Sequence, residues 1–340
     1  MLQPAQAAQP SPALFFDTIN AYQRTAALKA AIELELFTAI GQGLGTASDL
    51  ARQLATSARG IRILCDYLVV VGFLTKNESS YSLTADSAVF LDRRSPGYIG
   101  SAAEFLSSPV LKDGFRDIAA IVRKGGTVIS PEGTLEPHHP IWVDFARAMA
   151  PLMTLPAELI AKLVDAGSGL KWKVLDIAAG HGLFGVTLAK HNPNAEIVAV
   201  DWPNVLAVAK ENAQATGVAG RYRTIEGSAF EVDFGGGYDL VLLTNFLHHF
   251  DTTACETLLR KVRAALGPGG RAVTLEFIPN EDRVTPPIAA SFSLMMLGST
   301  PAGDAYTFSE YERMFRNAGF SSSQLQSLPP TFQQVVISEA

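Results

Sequence analysis

The chain has 340 residues, 48% of them apolar, and a formal net charge of −6. That length supports a large core and exceeds the usual prior of roughly 100–200 residues per domain. Mild acidity without an extended basic run argues against a charge-driven nucleic-acid or membrane partner, and no apolar run reaches the roughly 18 residues of a transmembrane helix.

In chain order, "MLQPAQAAQPSP" lacks the basic and apolar regions of a signal peptide, and residues 1–13 read as a frayed tail. Residues 14–125 read as one mainly helical domain. "ALFFDTINAYQRTAALKAAIELELFTAI" has helical apolar spacing, and "GTASDLARQL" offers Thr46 or Ser48 as the cap of a short helix. "SARGIRILCDYLVVVGFL" is a third helix, with Ile61, Leu64, Leu68 and Val71 on one stripe and Gly72 near its end. "TKNESSYSLT" then reads as a tight hairpin. Helix, helix, helix, hairpin is the winged-helix order. Duplex binding is rejected, because the third helix is mostly apolar and carries only Arg59 and Arg62, with Asp66 beside them.

Residues 126–168 read as a linker, "GTVISPEGTLEPHHP", and connecting helices interrupted near Pro151 and Pro156. From residue 169 to 340 the texture changes to strand–helix alternation. Strands are predicted at 173–178, 196–201, 221–226, 238–244, 271–278 and 332–338, and helices at about 183–191, 203–216, 253–266 and 308–318. This pattern predicts an α/β fold with a doubly wound, mostly parallel sheet. Cys65 and Cys255 are far apart and in no metal-like spacing, so they read as reduced, buried thiols of a cytoplasmic protein.

The chemistry concentrates at "VLDIAAGHGLFG", residues 174–185. Asp176, Gly180 and Gly182 fall at the carboxyl end of the first strand, where open α/β sheets bind ligands. Glycine there either admits a nucleotide-like ligand to the backbone or serves helix–strand packing. "AEIVAVDWP" ends its apolar run at Asp201, about 20 residues on, where an acid commonly accepts two ribose hydroxyls. Asp176 at the loop's entrance would repel a pyrophosphate and suits a ligand with a positive centre.

These segments resemble the class I S-adenosylmethionine-dependent methyltransferases. "VLDIAAGHGLFGVTLAK" looks like their first motif, "AVDWP" like their second, and "YDLVLLTNFLHHFDTTACETLLRKVRAALGPGGRAVTLEF" like their later strands. With a winged-helix-like front half, the chain resembles the plant caffeic-acid-type O-methyltransferases and their bacterial relatives. The resemblance implies a Rossmann-like methyltransferase domain, a homodimer formed through the N-terminal domain, and a front half that helps close the partner's pocket. It implies S-adenosylmethionine as cofactor, S-adenosylhomocysteine as product, no metal, and a small aromatic or polyketide-like acceptor. The family's cofactor glycines match Gly180 and Gly182, and its ribose-binding acid matches Asp201, with Trp202 beside it. Ser228, Ala229 and Phe230 stand in the loop that meets adenine, Ser228 replacing the family's Asp, and Asn245 lies in the segment after the fourth strand.

The family's base matches His248, and one flanking acid matches Glu276. His249 stands where the family has Asp, Thr244 where it has Lys, and Ala305 where it has a second Glu. Asp304 lies one residue before that missing acid. An imidazole near pKa 6.5 can take a phenol's proton, and Glu276 would hold its tautomer. His248 could instead pack, or cap the helix beginning near Asp251. His249 reads as a satisfied or exposed neighbour, and His138 and His139 as linker residues outside any metal set. Near-helical spacing with the family's placement puts Met149, Phe292 and Met296 in the acceptor pocket. The alternatives are a family member that methylates nitrogen or carbon or does not methylate, and a winged-helix regulator that senses the cofactor.

Overall fold

The computed structural model describes residues 9–136 and 141–340, which fall into two compact units divided between Ser107 and Ser108. His138 and His139 lie outside the described residues.

The first unit holds α1 (Ala13–Ile19), α2 (Ala21–Glu33), α3 (Leu36–Gly41), α4 (Ala47–Gln53), α5 (Ala58–Val70), β1 (Leu74–Asn77), β2 (Ser80–Leu83), α6 (Ala85–Phe90) and α7 (Ala102–Leu106). The long apolar run at its start is three helices, broken at Asn20 and at Glu35, which takes a left-handed φ of 56°. Thr46 caps α4 by accepting the Asp49 amide. α5 buries Ile61, Cys65 and Leu68 in a core with Leu36, Phe37 and Leu50. Asp66 takes Arg62, Lys76 at 2.6 Å and the Tyr81 hydroxyl at 2.7 Å, tying the helix to the hairpin. Arg62 is thereby committed within the fold.

The second unit opens with α8 (Pro109–Asp113), α9 (Ile118–Lys124) and α10 (Ile141–Leu163). Alternating strands and helices follow: β3 (Lys173–Ile177), α11 (Leu183–His191), β4 (Glu196–Asp201), α12 (Pro203–Ala215), β5 (Tyr222–Glu226), β6 (Tyr238–Thr244), α13 (Thr252–Ala265) and β7 (Leu266–Glu276). The chain ends with α14 (Pro287–Ser299), α15 (Phe308–Asn317), β8 (Ser322–Ser327) and β9 (Gln334–Glu339). The sheet order is β5-β4-β3-β6-β7-β9-β8, parallel except where β9 pairs with β7 and β8. Its inner strands β3, β4 and β6 bury most of both faces, which explains their near-continuous apolar runs. Val174, Ile197, Leu240 and Leu242 face one core, with α10, α11 and α12. Leu175, Ile177, Val200, Val241 and Leu243 face the other, with α13 and α15.

β7 begins at Leu266, ahead of the expected 271, and β8 is a strand the sequence reading did not include; two further departures lie in α10 and the stretch before it. α10 runs unbroken through Pro151 and Pro156. An interior proline costs about 3 kcal/mol in a helix. Here Ala157, Ile160 and Ala161 are buried in the sheet core and Ala146 packs on Val205 and Val208, and that packing outweighs the lost backbone bonds. The Gly/Pro-rich stretch after α9 is also bound down. Buried Thr127 donates its amide to the Thr300 carbonyl at 2.9 Å, and the Thr134 hydroxyl reaches the Ser299 carbonyl at 3.2 Å.

Candidate active site

The strand order reverses at β3, so the loops after β3 and β6 diverge and leave a crevice at the carboxyl ends of the strands. A cavity of about 420 Å³ lies there. After β3 the chain turns through Ala178, Gly180 and Gly182, with φ of 53°, 57° and 71°. The two glycines do different jobs. A Cβ on Gly180 would meet nothing nearer than 3.9 Å, and Gly180 lines the cavity. A Cβ on Gly182 would sit 2.6 Å from the Tyr222 hydroxyl and 2.8 Å from the Ala209 Cβ, so this glycine serves helix–sheet packing.

Asp201 ends β4 at the cavity wall. Its Oδ2 accepts the Gly180 amide at 2.8 Å, its Oδ1 accepts the Trp202 amide at 2.7 Å, and its carbonyl accepts the Gly227 amide at 3.0 Å. One residue thus knits three loops of the crevice. Burial pushes its carboxyl up to about 6, against the pull of those two amides. Trp202, Ser228, Ala229, Phe230 and Asn245 line the same cavity. The Ser228 hydroxyl accepts the Phe230 amide at 3.3 Å, and the Phe230 ring meets Phe250 edge-on at 4.9 Å.

Asp176 does not line the cavity. It is fully buried behind the loop, and its Oδ2 accepts the Gly185 amide at 3.0 Å. Its Oδ1 has no hydrogen-bond partner among the described residues. Burial first, then the Asp201 charge, pushes its carboxyl up to about 7. The Asp201 carboxyl at the cavity wall suits a ligand carrying hydroxyls, and the open Gly180 cradle suits one that touches backbone. These features fit an adenosyl sulfonium. Among the described residues no group of three or more His, Cys, Asp or Glu could hold a metal ion.

At the end of β6, Asn245 takes a φ of 55° and starts the turn that carries both histidines. Fully buried Glu276 organises this turn. Its Oε1 accepts the Phe246 and Leu247 amides at 3.0 and 2.9 Å, and its Oε2 pairs with His248 Nδ1. A carboxylate can only accept from that ring nitrogen, so Nδ1 carries a proton, and the neutral ring then has its lone pair on Nε2. The expected pair is therefore brought together. His248 itself lies outside the residues lining the cavity.

Asp304 does not replace the missing acid. Its amide donates to the His248 carbonyl at 3.0 Å, while its carboxylate turns to Arg283 at 3.3 Å and to the Ala305 amide at 2.8 Å. None of the three expected acceptor residues lines the cavity. Phe292 lies edge-on to His248 at 4.9 Å and stacks on Phe277 at 4.3 Å. Met296 is buried on α14, and Met149 is half-buried on α10.

Of the near-helical stripe Trp142, Phe145, Met149 and Met153 on α10, the cavity takes every member but Met149. Trp142 and Met153 on α10 close over the crevice, and His181 and His249 face it. Burial pushes His181 down to about 4, so it is neutral. Its Nδ1 accepts the Leu183 amide at 3.1 Å, which puts the proton on Nε2.

Two family models match the chain. An O-methyltransferase domain covers residues 137–321, and an O-methyltransferase dimerisation domain covers residues 16–93. The chain belongs to the O-methyltransferase family. It is 30% identical over 314 residues to the 3-hydroxy-5-methyl-1-naphthoate 3-O-methyltransferase of Streptomyces sahachiroi, covering 91% of this chain and 90% of that one. It also matches the crystal structure of a Nostoc punctiforme protein assigned as an O-methyltransferase, with a TM-score of 0.94, 62% identity, and coverage of 98% and 100%. Human N-acetylserotonin methyltransferase, solved with S-adenosylmethionine, shares the fold at a TM-score of 0.83 and 22% identity over 99% of each chain. The chain is an S-adenosylmethionine-dependent O-methyltransferase, an α/β enzyme with a mostly helical N-terminal dimerisation region.

Proposed function

We propose that this O-methyltransferase transfers methyl to a hydroxyl of a small aromatic or polyketide-like molecule, with His248 as general base. The observation that carries this reading is the Glu276 carboxylate, which holds the His248 tautomer and the turn beneath it at once. Asp201, Gly180, Trp202, Ser228, Ala229, Phe230 and Asn245 would hold the cofactor, with Gly182 and Asp176 supporting the loop from behind. The bound cofactor supplies an electrophilic methyl group. The chain's own work is to orient the acceptor and take its proton. A phenol near pKa 10 is mostly protonated at neutral pH, and base catalysis contributes about 10²–10⁴-fold. The Streptomyces relatives support the acceptor class: one carries a naphthoate name, another a tetracenomycin polyketide name, and a third a 3-amino-4-hydroxybenzoate name.

The assembly proposed is a homodimer through the N-terminal region. In α1 and the start of α2, Leu14, Phe15, Phe16, Ile19 and Tyr22 are all exposed, an apolar patch that a second copy would cover. Among the described residues no helix is long and apolar enough to cross a membrane, and a cytoplasmic location is proposed on that footing and on the two buried, unpaired cysteines. The test is His248→Ala. Cofactor affinity by calorimetry stays within about threefold while turnover with labelled cofactor falls by about 10²-fold or more. Parallel loss of both assigns His248 to the scaffold and overturns the base role.

A further inference from the structure

Asn245 lines the cavity, and its carboxamide is held at both ends. Its Nδ2 lies 3.5 Å from the Met153 sulfur on α10, and its Oδ1 contacts Gln333 Nε2. A thioether can only accept, so the nitrogen end of Asn245 points to Met153 and the oxygen is left to Gln333, which must donate. Met153 lines the cavity and Gln333 does not, so the amide is turned with its N–H end toward the crevice. One Nδ2 hydrogen faces the sulfur, and the other has no protein partner among the described residues.

Gln333 is buried, 4% exposed, and stands one residue before β9. The next residue, Gln334, pairs in register with Glu276 of β7 and donates its side-chain amide to the Ile278 carbonyl at 2.9 Å. The Thr331 hydroxyl closes the preceding turn on the Leu328 carbonyl at 2.6 Å. The C-terminal strand thus brings a donor to the far end of a crevice residue 88 positions away in the chain. Among the described residues no Lys or Arg lines the cavity. The aminoacyl carboxylate of the cofactor accepts hydrogen bonds only, and in that lining it must be met by uncharged donors. Asp201, an acceptor for hydroxyls, ends β4 on the other side of β3, so the donor at the end of β6 falls to a different part of the cofactor.

We propose that Gln333 is a positioning residue: by holding Asn245 Oδ1 it keeps the Asn245 N–H directed into the crevice, where it donates to the cofactor's carboxylate. This rests on the assignment of Asn245 to the cofactor site. Without Gln333 the amide can turn over and present its oxygen, which repels that carboxylate.

The test is calorimetry on the full-length enzyme with S-adenosylhomocysteine and with decarboxylated S-adenosylhomocysteine, which keeps the adenosyl thioether and the amine. The ratio of the two affinities is the readout, because a general loosening of the fold weakens both ligands alike. Gln333→Met, which cannot donate, should lower that ratio by about five- to tenfold, the scale of one hydrogen bond to a charged group. Gln333→Asn, too short to reach Oδ1, should do the same and stands in if the first variant does not fold. In turnover, KM for S-adenosylmethionine should rise by a similar factor with kcat within about twofold of wild type. Asn245→Asp keeps the partner of Gln333 but removes the donor, and should lower the ratio by about tenfold or more. A ratio unchanged in the Gln333 variants but lowered in Asn245→Asp overturns the role of Gln333 and leaves Asn245 in the cofactor site. A ratio unchanged in Asn245→Asp overturns the assignment of Asn245 itself, and this inference with it.

Discussion

Glu276→Gln isolates what the buried carboxylate does for His248. The amide oxygen of glutamine can still accept the Phe246 and Leu247 amides, now held by Oε1 at 3.0 and 2.9 Å. The other oxygen becomes an NH₂ group that faces His248 Nδ1. Two donors cannot share that contact, so the imidazole proton moves to Nε2, the atom that must receive the acceptor's proton. The fold and the cofactor crevice stay in place, because Glu276 does not line the cavity. The loss should match the value of the base, about 10²–10⁴-fold in kcat, or roughly 2.7–5.4 kcal/mol of barrier. The assay is transfer of labelled methyl at saturating acceptor, with cofactor affinity measured alongside and expected to stay within about threefold. Nitrogen shifts of the His248 ring should report the exchanged tautomer. A variant that keeps kcat within fivefold of wild type refutes the argument that Glu276 sets a working tautomer.

Asp201→Ala removes the acceptor that ties Gly180 and Trp202 at the crevice, and calorimetry should show cofactor affinity reduced by about ten- to a hundredfold; unchanged affinity would remove the ribose role. Gly182→Ala should cost about 1–3 kcal/mol in urea unfolding, since its Cβ collides with Tyr222 and Ala209 at positive φ. Gly180→Ala should cost less stability and instead weaken cofactor binding, and equal effects in both assays would contradict the division of labour. Asp176 and Asp201 bind protons more tightly folded than unfolded, so their contribution to cofactor-free stability is lost as pH rises through about 7 for Asp176 and about 6 for Asp201. His181 and His249 act in the opposite sense below about 6.5, because burial keeps them neutral. The clean measurement is therefore a difference: Asp176→Asn should gain stability relative to wild type as pH rises from 5 to 8, and a gap that stays flat would show that Asp176 is not the group strained by burial.

The βα units built on β3, β4 and β6 could be read to within a residue or two because these inner strands bury both faces. Val, Ile and Leu in 173–177, 196–201 and 238–244 leave little room for another structure. β8, "SSQLQS", is a polar edge strand paired only with β9 and carries no such signal. α10 was obscured by its prolines, whose local cost is offset by contacts distant in sequence. The acid and glycines of the crevice were legible from their strand-end positions, yet their separate tasks were not. Whether a glycine opens to a cavity or backs onto Tyr222 depends on which side of the loop it faces. The histidines show the same limit. "LHHF" displays two adjacent imidazoles, but their shared tautomer comes from Glu276, 28 positions away in the chain from His248, and from the Phe246 carbonyl.

The replacements around His248 form a consistent electrostatic pattern. At the three positions where the resembled family carries charge, this chain has Thr244, His249 and Ala305. The nearest alternative acid, Asp304, is committed to Arg283, which is itself shared with Glu310 at 2.6 Å. Glu276 is thus the one carboxylate that pairs with the His248 ring among the described residues. An imidazolium formed there has a single counter-charge, and a neutral ring at 4.2 Å offers no second. Its protonated form is therefore stabilised less than it would be between two acids. Placing a carboxylate back, as His249→Asp, should raise the pKa governing the acidic limb of the kcat/KM profile, because an added anion favours the charged imidazole. A limb that stays put in that variant would mean that the ring beside the base is electrostatically silent and that the pattern of lost charges has no bearing on proton transfer.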